Sequence, residues 1–95
     1  MKKSVCLLGV AAVLCAGVAA YASEAKCREI ALREYPNDKR MQMFTYNQQL
    51  VAWRYMQTVR EADVKVIALA EYPDDFSMQK FTYDQQSAAK RYMAT

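Results

Sequence analysis

Three sets of side chains in this 95-residue chain are of types that could do chemistry. Asp74 and Asp75 are adjacent carboxylates, Cys27 is a thiol, and Gln48-Gln49 and Gln85-Gln86 are paired amides close to tyrosines. Two carboxylates can divide general acid and general base work. These two, however, directly follow Pro73, where a turn and a helix N-cap explain them better. The chain has no histidine. That removes Ser-His-Asp and Cys-His nucleophile pairs, the base that Cys27 would need, and the commonest zinc ligand. The expectation is a protein that is not an enzyme, with no catalytic residues, no cofactor and no metal.

The chain begins with features of an export leader. Lys2 and Lys3 form a positive start, Val5 to Ala20 is an apolar run, and Ala20-Tyr21-Ala22 offers small residues at the two positions that a signal peptidase reads. The run is shorter than the roughly 20 apolar residues a spanning helix requires. Leu14 stands before Cys15 where a lipoprotein signal needs a small residue. Residues 1–22 are therefore expected to be a cleaved signal peptide, with membrane attachment only if the segment stays uncleaved. The expected destination is the periplasm or cell envelope of a bacterium.

Removing that segment changes what remains. Lys2 and Lys3 leave with it, which lowers the formal charge from +3 to +1. No basic stripe is left to displace counterions from a nucleic acid, so nucleic-acid binding is not expected. Both glycines, Gly9 and Gly17, are in the leader. A glycine-free remainder lacks phosphate-cradling loops and the usual hairpin turns of β proteins. Cys6 and Cys15 go too, leaving Cys27 as one thiol. It is either a buried, inert small hydrophobe or one half of an intermolecular disulfide.

The remainder says nearly the same thing twice. Glu24 to Thr58 aligns without a gap on Glu61 to Thr95, a period of 37 residues with 21 of 35 positions identical. Such a period marks supersecondary units that stack because each cannot bury its own apolar face. Repeat one is placed at residues 23–58 and repeat two at 59–95. Each reads as two helices around a proline, and the fold class is all-α, two tandem helix-turn-helix repeats. Ser23 is positioned to cap a first helix running to about Glu34. Pro36 ends it, and Asn37 and Asp38 offer cap oxygens to a second helix. Pro73, Asp74 and Asp75 repeat that punctuation.

The join between the repeats has two readings. Thr58-Val59-Arg60-Glu61 has the form of a capping box, which starts a fresh helix. Nothing from Lys39 to Tyr72 is glycine or proline, which favours a long continuous central helix of roughly 50 Å.

Placed at 100° per residue, the second helix of each repeat separates two arcs. Positions identical in both repeats share one arc, expected to be the packing face of each hairpin. On the other arc repeat one carries Met43, Leu50, Val51 and Trp53, where repeat two has Lys80, Ser87, Ala88 and Lys90. Repeat one is expected to be covered there, by its own chain or by a partner anchored on Trp53. Gln49 and Gln86, beside Tyr46 and Tyr83, either join the hairpins to each other or read a peptide or sugar. The candidate partner-binding residues are therefore Trp53, Leu50, Met43, Tyr46, Gln49, Tyr83 and Gln86.

Pro73-Asp74-Asp75-Phe76-Ser77-Met78-Gln79-Lys80-Phe81, with Gln85-Gln86 downstream, resembles a short helical motif of small exported bacterial and phage proteins. Repeat one departs from it, with Lys39 and Arg40 in place of Phe76 and Ser77. The resemblance implies a small helical module and carries no activity. The functional expectation is a protein-binding or inhibitory module of the envelope. The alternatives are a self-associating structural module, or one that binds cell-wall sugar or peptide through its Tyr and Gln positions.

Overall fold

The computed structural model describes residues 22–94 of the chain, and the described part is all-α. Helix α1 covers residues 22–34, followed by α2 (Lys39–Thr58), α3 (Ala62–Glu71) and α4 (Phe76–Ala94). Residues 1–21 of the expected leader, with its apolar run and its two cysteines, lie outside the described residues, and residue 22 opens α1. Ser23 is already helical and buried, so it does not serve as the cap expected of it.

The two proline turns close with the same hydrogen bonds. Tyr35 N–H donates to the Ala31 carbonyl at 3.0 Å, and Tyr72 N–H donates to Ala68 at 3.1 Å, so each helix finishes its last turn before the proline. Asp38 Oδ1 then accepts from Met41 N–H at 3.1 Å, and Asp75 Oδ1 accepts from Met78 N–H at 3.2 Å. Both aspartates act as N-caps for the following helix, satisfying a first-turn donor that has no partner inside it. A glutamine clamps each turn from the far side. Gln42 Nε2 donates to the Tyr35 carbonyl at 2.6 Å, and Gln79 Nε2 donates to that of Tyr72 at 2.7 Å. Sequence spacing thus sets local geometry, because each glutamine lies four residues past its aspartate on the first turn.

The join does not continue as helix. Val59 is extended, with φ −70° and ψ 145°, and α3 restarts after Glu61. The long central helix is corrected to α2 and α3 separated by a short break. Two hydrogen bonds account for it. The Thr58 hydroxyl donates back to the Tyr55 carbonyl at 2.7 Å, and Glu61 N–H donates to Tyr83 Oη at 3.2 Å. A donor that a continuous helix would use internally is therefore taken by the packed α4. The capping box does not form either, since Glu61 is the N-cap of α3 with no side-chain cap bond.

Helix α4 packs against both α2 and α3. The face of α2 that is buried runs through Thr45, Gln49, Ala52 and Met56. That spacing follows the period of one helix stripe. Met56 meets Val64, Ala68 and Tyr83 in a small core, with Tyr55 and Val59 packed against it. On α1, Cys27, Ile30 and Ala31 are buried. Lys26 ties this helix to the second turn through Asp74 at 3.1 Å.

Candidate functional site

The inner stripe of α2 joins that helix to the start of α4 through one polar side chain, Gln49. Gln49 is 3% exposed and its amide is fully used. Its Oε1 accepts from Phe76 N–H at 2.8 Å and from Ser77 N–H at 3.3 Å, while its Nε2 donates to Asp75 Oδ1 at 2.9 Å. The first N–H groups of α4 have no acceptor within their own helix. Gln49 supplies one from a different helix, and the same amide grips the residue that caps that helix.

Nearly two turns further along α2, Tyr55 Oη donates to Asp84 Oδ1 at 2.5 Å. Its ring meets Tyr83 edge-on, with centroids 6.3 Å apart, and Lys80 Nζ lies 4.7 Å from its centroid. The hydrogen bond to the Asp84 carboxylate, together with burial, pushes the phenol up to about 12. Beyond the join, the Ser87 hydroxyl donates to Glu61 Oε1 at 2.6 Å, and Lys90 bridges Asp63 at 2.9 Å and Glu61 at 3.4 Å. The Ser87 hydrogen bond and then Lys90 hold Glu61 below the usual carboxylate range. The Lys90 hydrogen bond does the same for Asp63, and Asp63 in turn raises Lys90.

None of these arrangements is a nucleophile with its base. Cys27 is a free, buried thiol pushed up to about 11 by burial and by the nearby Glu24 carboxylate, so it is a thiol and not a thiolate at neutral pH. Asp75 caps α4 and Asp74 pairs with Lys26, so the carboxylate pair is divided between two structural tasks. Among the described residues no group of three or more His, Cys, Asp or Glu side chains is gathered where it could hold a metal ion. Among the same residues no helix is long and apolar enough to cross a membrane.

Comparison with protein-family models, with curated proteins and with solved structures gives no match.

The outer surface of α2 carries three large apolar side chains among polar ones such as Asn47, Gln48 and Arg54. Met43 is 65% exposed, and Phe44 and Val51 are exposed too. Of the two covers expected for this arc of repeat one, the described residues of its own chain do not supply one for Met43 and Val51. Thr45, Gln49, Ala52 and Met56 turn to α4, which swings Met43 and Val51 outward, while Leu50 and Trp53 lie at the margin, half-buried. An open groove of about 290 Å³ runs between α1 and α2, lined by Arg28, Ala31, Leu32, Lys39, Gln42, Met43 and Tyr46. Arg28 lies 5.7 Å over the Tyr46 ring at this groove.

The structure thus divides the seven candidate residues. Met43 and Tyr46 line one groove, Leu50 and Trp53 border the buried stripe, Gln49 and Tyr83 are buried inside the chain, and Gln86 is exposed on α4. Phe44, Tyr55 and Asp84 were not among them. Phe44 could have been found from its identity with Phe81, since both remain exposed. The Tyr55–Asp84 pair joins residues 29 apart and left no local signal in the sequence.

Proposed function

We propose that this chain is a small exported, non-catalytic module of the bacterial envelope that works by binding protein. The observation that carries this reading is the exposed apolar pair Phe44 and Val51, which line one open groove on α2, with exposed Met43 lining another on the same helix. Large apolar side chains gathered on one surface mark interaction sites more often than isolated ones do. The polar groups that could do chemistry are engaged in holding the helices together: Gln49, Asp75, Asp84 and Glu61 all have partners in the same chain. Export rests on the n-region, the apolar run and the Ala-x-Ala site at the start of the sequence. In this reading the two 37-residue units are tandem repeats whose turns share their hydrogen bonds.

A photo-crosslinking residue at position 44 tests the binding role in cells producing the chain. The expected result is a discrete protein adduct in the envelope fraction that is absent when the same residue is placed at Glu71, an exposed site away from this surface. Equal labelling from both positions, or no protein adduct at 44, would overturn it.

A further inference from the structure

Residues identical in the two repeats meet opposite fates. Gln49, Ala52 and Met56 are buried against α3 and α4, while Gln86, Ala89 and Met93 are exposed on α4. Met56 is 1% exposed and Met93 is 80% exposed. The strip that holds repeat one to repeat two is therefore present again on repeat two, with the same side chains, exposed along an open groove that Asp63, Val64 and Ile67 of α3 line from the other side.

Most of the surface that receives this strip is also present twice, the exception being Val64, whose counterpart Cys27 is buried and does not line the second groove. Within the chain, Ala68 and Tyr83 pack on Met56, Phe76 N–H donates to Gln49, and Lys80 lies over Tyr55. Moved back by 37 residues, these become Ala31, Tyr46, Lys39 and Met43. All four line the open groove between α1 and α2. The polar ends match as well. Asp38, Lys39 and Arg40 at the start of α2 are exposed, and Asp38 Oδ1 caps Met41 as Asp75 Oδ1 caps Met78.

We infer that the α4 strip Gln86–Ala89–Met93 docks into the α1–α2 groove of a second copy of this chain. Gln86 repeats the role of Gln49, its carbonyl oxygen facing the first N–H groups of the neighbour's α2 and its amino group facing the neighbour's Asp38. Ala89 allows the helices close approach, and Met93 enters the floor formed by Ala31 and Tyr46. Met43 replaces Lys80 at the rim, which makes the groove between copies more apolar than the internal one and suits a contact that must form between separate molecules. The contact is continuous with the α2–α4 interface and repeats its pairing. Strip and groove are different surfaces, so association runs head to tail and an open assembly leaves one strip and one groove unfilled at its two ends. This inference rests on the binding-module reading and names the occupant of one of its surfaces.

The test uses protein expressed from the full 95-residue sequence and purified in the form the cell delivers. Light-scattering mass is measured against concentration for the unchanged chain, for Met93→Glu (strip lost) and for Met43→Glu (groove lost). Both side chains are exposed, and Ala89→Arg serves as a second strip variant, with far-UV circular dichroism verifying the fold of each. The unchanged chain is expected to grow in mass with concentration. Each variant alone should stay monomeric, and Met93→Glu mixed with Met43→Glu should form a one-to-one dimer and stop there, since each contributes one intact surface. Monomer at every concentration, variants that assemble like the unchanged chain, or a mixture that stays monomeric would each overturn the inference. A monomeric chain that still forms a discrete protein adduct from position 44 would overturn self-docking alone and leave the binding role standing.

Discussion

Gln49 on α2 and Phe76 on α4 are joined by a hydrogen bond from the Phe76 N–H to the Gln49 side-chain oxygen, 2.8 Å long and spanning 27 residues of sequence. Ser77 N–H shares that acceptor, and Asp75 takes the other end of the amide. One side chain of α2 thus completes the start of α4.

Removing it should be costly, because Gln49→Ala leaves buried first-turn donors without an acceptor. A loss of about 1–3 kcal/mol is expected for such unsatisfied groups. Gln86→Ala, at the equivalent and exposed position, should leave dilute-solution stability within about 0.5 kcal/mol. Urea unfolding of both variants measures the contrast. Equal losses would mean that the amide of Gln49 does not hold α4.

Alkaline stability should report on Tyr55. Its phenol is raised to about 12 in the fold by the bond to Asp84, from an ordinary value near ~10. A raised pKa means the neutral phenol is favoured in the folded state, so this contribution is intact below pH ~10 and is lost as pH rises toward 12. Tyr55→Phe should unfold more easily at neutral pH and show a shallower decline across that window. Parallel curves for the two proteins, followed by circular dichroism, would exclude the Asp84 hydrogen bond as the cause.

On the acid side, Glu61 and Asp63 lie below the usual carboxylate range because Ser87 and Lys90 favour their charged forms. Depressed carboxylates stabilise the fold above their ordinary values, and that contribution disappears as pH falls through the lowered ones. Lys90→Met should therefore melt lower than the unchanged chain at pH 7 and approach it below about pH 4. The effect should be modest and shrink with added salt, since these groups are largely solvent-accessible. A melting difference that is constant from neutral pH into acid would assign the effect of Lys90 to packing.

How much of this was legible beforehand depends on the range of the interaction. The all-α fold and both proline turns could be read directly, because Pro36, Asp38, Pro73 and Asp75 act on their own neighbours along the chain. The break after Thr58 could not, since the acceptor that holds Glu61 N–H is Tyr83, 22 residues away. The same limit applies to the shared arc of the second helices. Identity marked Gln49, Ala52 and Met56 as a packing face, and in repeat one they are. Nothing in the identity of Gln86, Ala89 and Met93 could reveal that they would be left uncovered, because that depends on which element follows in space. Which cover Met43 and Val51 would have was not legible for a related reason: their apolar character fits an internally covered face and an exposed docking face equally well.

The same strip is buried at Met56 and open at Met93, and the paired substitutions Met56→Ala and Met93→Ala test that contrast. Met56 fills a core lined by Val64, Ala68 and Tyr83, so truncating it should cost about 2–5 kcal/mol in urea unfolding. Met93→Ala, measured in solution dilute enough to hold the chain as a monomer, should unfold like the unchanged protein, within about 0.5 kcal/mol. Similar losses at the two positions would contradict the account, because they would show that the second strip is already buried within its own chain.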